Sequence, residues 1–403
     1  MSAGMLSIFA LPIVVVGGSG PAAPSYRADV AFLKHHTQVV ELKLGASRLV
    51  VAPVWQGRVM TSAASPSSPG FGWMNRDFIA TGKLVPHMNV FGGEDRIWLG
   101  PEGGQFALFF KPGAKFDLAH WQTPPFMDSL PWRVVGKGGS SVTCEQRGVL
   151  TNYSGTKFHV DVTRTVRLLS PAEAGAHLGV KLSSGVKVVA YESENHLRNV
   201  GTNAWTEKSG LPSIWILGQF RHSPTTTVTV PYKPGSEDQL GEICKDDYFG
   251  KVPSDRLVVG AKAVFFRADG QYRSKIGMNP RRAHDVIGSW DPKSGVLTLL
   301  QYTKPAGVTR YVNSAWAIQD HPFAGDCVNS YNDGAPSPGA KPLGPFYEME
   351  SSSPAAALLP GTSISHVHRT FHLSGVKASL EEVSEKVLGV RLKDIEEAFP
   401  TTE

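Results

Sequence analysis

Residues 344–373 read GPFYEMESSSPAAALLPGTSISHVHRTFHL, with two alternating runs separated by a loop that ends in Pro360-Gly361. Because successive side chains of a strand point to opposite faces, Glu348 and Glu350 are predicted to share one face of a sheet. A Pro-Gly pair is typical of a turn, so we expect residues 364–373 to return as the second strand of an antiparallel pair. That strand carries three histidines on one face: His366, His368 and His372. Together the two strands predict an acid/base or ligand-binding surface.

The composition favours strands and turns. The chain has 403 residues, 41% of them hydrophobic, so it can bury a large core in one domain, or in one domain with an added lobe. It contains 42 glycines and 29 prolines, and only 19% of its residues are charged, which is unusual for a helical protein. The net charge of +5 is modest and no run of basic residues is present, so we expect no nucleic acid among its partners.

Most of the chain alternates apolar and polar residues in short segments between turn clusters. More than a dozen such segments without helical patterns between them predict an all-β architecture, a sandwich or a barrel. The predicted strands include 105–110, 257–267 and 315–319. Near the C-terminus, residues 379–399 instead repeat apolar side chains at helical spacing, and Ser379 and Glu382 have the form of a capping box.

The sequence therefore predicts a β-sandwich over residues 26–374 and a C-terminal helical tail over 375–403. Residues 1–25 would form a leader, because Met5–Val16 is an apolar run with the length of a signal-peptide core and too short to span a bilayer. No Lys or Arg precedes that run. We therefore expect either export to the periplasm or the outside of the cell, with no membrane span in the mature chain, or a disordered or packed N-terminal arm.

Several segments resemble the galactose mutarotase-like, or aldose 1-epimerase, superfamily. Residues 51–62 (VAPVWQGRVMTS) resemble its opening strands, and residues 194–202 are similar to the turn before its central sheet. Residues 89–104 look like the segment in which the epimerases carry a substrate-binding arginine, here Arg96. Glu350, ten residues before the Pro-Gly turn, matches the position of the catalytic glutamate. The resemblance implies a large antiparallel galactose mutarotase-like supersandwich whose concave sheet binds a sugar.

One segment departs from that family pattern. The epimerases place a catalytic histidine on a central strand beside an aromatic pair, and the corresponding residues 213–220 (SIWILGQF) contain no histidine. The resemblance therefore implies a divergent member, to which mutarotation cannot be transferred as a whole.

Interconversion of sugar anomers needs a base for the proton of the C1 hydroxyl and an acid for the ring oxygen. Glu350 is the predicted base, because Glu348 or an apolar wall can raise its pKa toward neutrality; the alternative is an edge carboxylate without function. His87 is the predicted acid, because it precedes the segment with Arg96. Five other histidines compete for that role: His196, His222, His366, His368 and His372.

Other polar and aromatic residues are candidate sugar contacts, since such side chains bond hydroxyls or stack on pyranose rings. They are Glu94, Arg96, Trp98, Lys275, Asp326, Asn329 and Glu348. Five of the nine tryptophans lie near these polar segments: Trp73, Trp98, Trp121, Trp215 and Trp316. Each candidate has an ordinary alternative, because strand-end lysines usually project into water and large aromatic side chains are usually core.

No cofactor is expected, although a divalent metal is an alternative. The spacing of His366 and His368 is frequent among metal ligands, and Glu350 would complete a three-ligand site. The competing interpretation is a solvated strand face without function. The cysteines are far apart, which indicates neither a disulfide framework nor a zinc knuckle. They are Cys144, Cys244 and Cys327.

Three functions thus remain open, all with a sugar or oligosaccharide as partner. The first is an epimerase-like enzyme, and the second is a non-catalytic carbohydrate-binding protein, which the missing strand histidine favours. The third is a polysaccharide lyase, which abstracts a proton beside a neutralised carboxylate. The sequence pI of about 9.0 suits an acidic glycan. The candidate lyase residues are Tyr331, Tyr347, Arg96 and Asn329.

Overall fold

The computed structural model describes residues 23–399, so most of the predicted leader lies outside the described residues. Two large antiparallel sheets dominate the structure, and a three-stranded sheet of β1 (Val40–Leu44), β2 (Ser47–Ala52) and β3 (Arg58–Ala63) packs against the larger of them. The predicted all-β sandwich is therefore confirmed. No helix within residues 23–399 combines the length and the apolar character that a membrane crossing requires.

The remaining strands follow in chain order: β4 (Arg96–Gly100), β5 (Arg133–Lys137), β6 (Ser141–Thr151), β7 (Lys157–Leu169), β8 (Lys187–Asn199), β9 (Ser213–Arg221), β10 (Thr227–Pro231), β11 (Leu257–Val259), β12 (Ala263–Arg267), β13 (Ser274–Met278), β14 (Val286–Asp291), β15 (Val296–Tyr302), β16 (Val328–Asn332), β17 (Phe346–Ser352) and β18 (Ser363–Ser374). The five-stranded sheet has the order β13-β16-β17-β9-β4. The ten-stranded sheet has the order β11-β12-β10-β14-β15-β18-β8-β7-β6-β5. The apolar side chains between these two sheets form most of the core.

The predicted pairing of the two C-terminal strands is wrong. β17 pairs with β16 and β9 in the five-stranded sheet, whereas β18 pairs with β15 and β8 in the ten-stranded sheet. The connection of residues 353–362 is longer than the two to five residues of a tight hairpin, and it carries the chain from one sheet to the other. The acids of β17 and the histidines of β18 therefore belong to different layers.

Two of the predicted strands, 105–110 and 315–319, are loops without strand pairing. Residues 107–110 are all buried in the core, so burial rather than alternation accounts for segment 105–110. Residues 315–319 form an irregular loop whose residues are partly buried or exposed. The predicted strand 257–267 is two strands, β11 and β12, joined by a tight turn at residues 260–262.

Residues 23–399 also contain six short α-helices: α1 (Tyr26–His36), α2 (Arg76–Ala80), α3 (Pro171–Leu178), α4 (Glu237–Leu240), α5 (Lys377–Leu388) and α6 (Leu392–Glu397). The last two confirm the predicted helical tail and pack on the ten-stranded sheet through an apolar cluster. The predicted capping box is wrong, since α5 begins at Lys377 after Val376 and has no side-chain cap. The hydroxyl of Ser379 instead contacts Ser183.

Candidate functional site

A cavity of about 280 Å³ lies on the face of the five-stranded sheet that points away from the ten-stranded sheet. This volume is near the lower end of the roughly 300–1,000 Å³ of small-molecule sites. Strand alternation decides which side chains reach it. On β17, Glu348 and Glu350 line the cavity, whereas Tyr347 and Met349 pack in the core between the sheets. The prediction that the two acids share a face is confirmed.

Glu350 is held at the base of the cavity by two donors. Its Oε2 accepts a hydrogen bond from Trp215 Nε1 at 2.8 Å and one from Lys275 Nζ at 2.9 Å. Its Oε1 is buried and has no hydrogen-bond partner within residues 23–399. An unsatisfied buried carboxylate oxygen is costly. Glu350 thus lines the cavity with one carboxylate oxygen whose acceptor capacity the described residues do not use.

Lys275 is the cation of this cluster, and its ammonium does not project into water. Burial acts to lower the pKa of the ammonium, but the carboxylates of Glu350 and Glu102 outweigh burial and raise it. The side chain therefore stays charged and balances Glu350. Its Nζ also lies 4.8 Å from the centre of the Trp215 ring, a distance that adds a cation–π attraction.

A second ion pair stands beside the first. Arg96 donates to Glu348 Oε1 at 2.7 Å, and its guanidinium lies 4.1 Å from the centre of the Trp98 ring. Burial raises the pKa of Glu348 to about 7, helped by the Glu350 carboxylate and opposed by Arg96. Both side chains are almost fully buried and line the cavity. Arg96, Trp98 and Glu348 thus lie where the sequence analysis expects sugar contacts.

Tryptophan rings form one wall of the cavity. The ring of Trp98 lies 5.5 Å from that of Trp215 and 6.0 Å from that of Trp121, and Trp316 lies 6.4 Å beyond Trp121. The Nε1 of Trp98 is buried without a hydrogen-bond partner in the described part of the chain. These rings offer apolar faces for stacking and one free donor.

Glu102 is a site residue that the sequence analysis missed. It follows β4 in the loop after Pro101, lines the cavity, and accepts a hydrogen bond from Trp121 Nε1 at 2.9 Å. Its position in the sequence could have identified it. Glu102 lies in a Gly/Pro-rich loop directly after the strand that carries Arg96 and Trp98, so it is close to these two cavity residues.

His87 lines the cavity as predicted, with its ring 5.3 Å from that of Trp121. Burial lowers the pKa of its imidazole below the ordinary value. The ring is therefore uncharged at neutral pH and does not carry the acidic proton that the predicted donor needs.

Three predicted sugar contacts lie outside the cavity. Glu94 is buried between the sheets, where it bonds to Ser62 and His372. Asn329 shares a sheet face with Glu350, but Tyr248 packs over it and bonds to its amide. Asp326 also bonds to the Tyr248 hydroxyl, and it lines a separate groove of about 910 Å³.

The three strand histidines are not on a solvated face, so that interpretation is wrong. They are buried between the two large sheets. His366 Nε2 and His368 Nδ1 each lie 2.8 Å from the hydroxyl of Ser351, which points away from the cavity. A site that combines them with Glu350 is therefore not formed. Within residues 23–399, no three His, Cys, Asp or Glu side chains are grouped closely enough to hold a metal.

Comparison with solved structures returns proteins of similar fold. A candidate aldose 1-epimerase from Escherichia coli K12 is 15% identical, with a TM-score of 0.48 over 84% of this chain and 99% of that chain. Slr1438 from Synechocystis sp. PCC 6803 is 12% identical, with a TM-score of 0.49 over 84% and 96%. A galactose mutarotase-like protein from Lactobacillus casei ATCC 334 is 11% identical, with a TM-score of 0.46 over 83% and 100%.

Comparison with curated proteins returns no match. The model of a protein family described as a family of unknown function, DUF6786, matches residues 24–399, nearly the whole chain. The chain therefore belongs to the DUF6786 family.

Proposed function

We propose that the protein binds a pyranose in the cavity of the five-stranded sheet and interconverts its anomers, with Glu350 as the base. One observation carries this proposal. Glu350 is fully buried, its Oε2 is fixed by Lys275 and Trp215, and its Oε1 on the cavity wall has no partner within residues 23–399. A preorganised carboxylate with one free oxygen suits proton abstraction from a bound hydroxyl.

The surroundings of the carboxylate suit a sugar. Tryptophan faces stack on the apolar faces of a pyranose, and buried polar atoms bind its hydroxyls. Besides Glu350, the cavity wall has free buried atoms at Trp98 Nε1 and Arg96 Nε, neither of which has a partner in the described part of the chain. The two ion pairs, Arg96–Glu348 and Lys275–Glu350, leave no net charge between them, which favours a neutral sugar over an acidic glycan.

A non-catalytic carbohydrate-binding protein is the second candidate. It is favoured by the absence of a histidine from residues 213–220, whose side chains Trp215, Leu217 and Gln219 line the cavity. A lyase is less well supported. The hydroxyl of Tyr347 bonds to Ser289 in the core, and the guanidinium of Arg96 is already paired with Glu348.

Polarimetry of freshly dissolved α-D-glucose and α-D-galactose tests this proposal. The protein is expected to accelerate the change in optical rotation above the spontaneous rate, and Glu350→Gln to lower that acceleration by about 100-fold or more, as expected for loss of a general base. Glu145→Gln, the same change at a surface ion pair on β6, is the matched control and should leave the rate unchanged. Sugar binding without acceleration would support the carbohydrate-binding candidate instead, and neither binding nor acceleration across a panel of aldoses would refute both.

A further inference from the structure

Four carboxyl groups line the cavity, and they differ in their partners. Asp333 has both oxygens occupied, Oδ1 by the Tyr331 hydroxyl at 2.6 Å and Oδ2 by the Gly344 N–H at 2.8 Å. Glu350 and Glu348 each face a cation, at 2.9 Å from Lys275 and 2.7 Å from Arg96 respectively.

Glu102 has no ion-pair partner within residues 23–399. Its Oε1 accepts from the indole N–H of Trp121 at 2.9 Å, and the indole of Trp316 is a second neutral donor beside it. A cation offsets part of the cost of burying each of the Glu350 and Glu348 carboxylates, whereas the neutral donors of Glu102 offset less of that cost and favour its protonated form.

Glu102 also lies at the other end of the tryptophan wall from Glu350. Trp215 donates to Glu350 and Trp121 donates to Glu102. Between these two indoles stands Trp98, at 5.5 Å and 6.0 Å from them. A pyranose stacked on this wall would therefore lie between a carboxylate at one end and a carboxyl at the other.

We propose that Glu102 is the proton donor of the reaction, taking the part that a strand histidine would otherwise have. This inference rests on the proposed function. It assigns a catalytic residue that neither the sequence pattern nor the resemblance identifies.

The proton transfers balance without a cofactor. Glu350 takes the proton of the C1 hydroxyl, the electron pair of that O–H bond becomes the second bond of the C1 carbonyl, and the bond between C1 and the ring oxygen breaks. The ring oxygen keeps that electron pair and takes the proton of Glu102. After the aldehyde rotates, Glu102 takes the proton back, the ring oxygen attacks C1 on the other face, and Glu350 returns its proton to the carbonyl oxygen.

The electrostatics agree with this division of roles. Burial raises the pKa of Glu102, and the neighbouring Glu350 carboxylate raises it further, although Lys275 opposes both. Glu348 is the rival donor on this wall, since burial raises its pKa to about 7, but a protonated Glu348 would leave the buried guanidinium of Arg96 without its counter-charge. His87 is uncharged at neutral pH because burial lowers its pKa.

Kinetics of Glu102→Gln, Glu102→Asp and Glu348→Gln test the inference. The amide of Glu102→Gln still accepts from Trp121, so the variant is expected to fold and to bind sugar with little change in KM. Its kcat should fall about 100-fold, and the alkaline limb of the wild-type pH profile should disappear. Glu102→Asp should restore part of the rate. Glu348→Gln should raise KM and keep the alkaline limb.

A second measurement does not depend on turnover. At neutral pH the infrared spectrum of the wild-type protein should contain a protonated carboxyl band, to which Glu348 also contributes because burial raises its pKa to about 7. Glu102→Gln should reduce that band and Glu145→Gln should leave it unchanged. An active wild type with an unchanged kcat and alkaline limb in Glu102→Gln would overturn the donor role and leave the role of Glu350 intact. A wild type that binds pyranoses without turnover would overturn the proposed reaction and the donor role together.

Discussion

Two buried carboxylates, one on each side of the five-stranded sheet, show how a structural acid differs from a candidate catalytic one. Glu94 lies in the interior, where Oε1 accepts from the Ser62 N–H and Oε2 accepts from the Ser62 hydroxyl and lies 3.1 Å from His372 Nε2. Glu350 lies at the cavity, where Oε2 has two donors and Oε1 has none within residues 23–399. Both side chains are fully buried.

The difference teaches that burial alone does not identify a functional acid. Both oxygens of the interior carboxylate, Glu94, accept hydrogen bonds from the protein, so this side chain stabilises the fold. The carboxylate at the cavity keeps one acceptor oxygen free, so its bonding is completed only by a ligand. Mutations on the two sides should therefore change different quantities, stability on one side and sugar turnover on the other.

The largest effect is expected for Glu94→Gln. The amide replaces one acceptor oxygen by an NH₂ group, which leaves a donor of Ser62 or His372 unsatisfied in the core. The free energy of unfolding should fall by about 3 kcal/mol, as measured by urea denaturation. Sugar affinity of the folded variant should match that of the wild type. If Glu94→Gln lowered sugar affinity without lowering stability, the assignment of Glu94 to a structural role would be wrong.

Glu350→Gln should do the reverse. Catalysed mutarotation should fall about 100-fold, whereas the free energy of unfolding should change by roughly 1 kcal/mol. The small stability effect is expected because the amide oxygen of the new side chain can still accept hydrogen bonds from Lys275 and Trp215. The two quantities are measured by polarimetry and urea denaturation on the same preparation. Equal destabilisation by Glu350→Gln and Glu94→Gln would make Glu350 a structural acid.

Lowering the pH should reduce the stability of the protein through the histidines buried between the two large sheets. Burial lowers the pKa of His366 to about 3 and that of His368 to about 4, below the value of about 6.5 in an unfolded chain. Between these values the unfolded state takes up protons that the folded state excludes, so stability falls as the pH drops from about 6.5 toward 4. The loss should reach about 2 kcal/mol for each histidine near pH 4.5.

Urea denaturation at pH 7 and near pH 4.5 measures that loss. His368→Asn should reduce the difference between the two pH values, whatever its effect at pH 7. His120→Asn, at an exposed histidine, is the control and should leave the difference as it is. An unchanged difference in His368→Asn would show that the interior histidines are not the groups that titrate.

The smallest effect concerns two tryptophans. Trp98→Phe keeps an aromatic ring but removes the free indole N–H of the cavity wall, so sugar affinity should fall about five- to tenfold, near 1 kcal/mol, with little change in stability. Trp132 is the matched control, because its Nε1 donates to the carbonyl of Phe126 in the core. Trp132→Phe should lower stability by about 1 kcal/mol and leave affinity unchanged. Calorimetric titration and denaturation distinguish the two.

Local patterns predicted much of the fold. Alternation in residues 346–350 correctly places Glu348 and Glu350 on one face, and the helical spacing near the C-terminus corresponds to α5 and α6. The error about β17 and β18 has a physical cause. Which strands pair depends on how whole sheet faces are buried, and these contacts join residues far apart in the sequence. The connection of residues 353–362 contains no local pattern that indicates a change of sheet.

The site was predictable from the sequence mainly where its residues lie on strands. Arg96, Trp98 and Lys275 lie on strands, where position in the sequence fixes the face, and all three line the cavity. Glu102 lies in a loop, whose path depends on tertiary packing rather than on a periodic pattern. Asn329 is a candidate sugar contact from the sequence, but the structure shows that Tyr248 covers it.

A crystal structure of the protein with a bound aldopyranose tests the role of Glu350 most directly. The anomeric hydroxyl is expected within hydrogen-bonding distance of Glu350 Oε1, with the ring stacked on the tryptophan wall of Trp98. A sugar bound with its anomeric carbon remote from Glu350, or bound in another part of the molecule, would contradict the proposed role of this carboxylate.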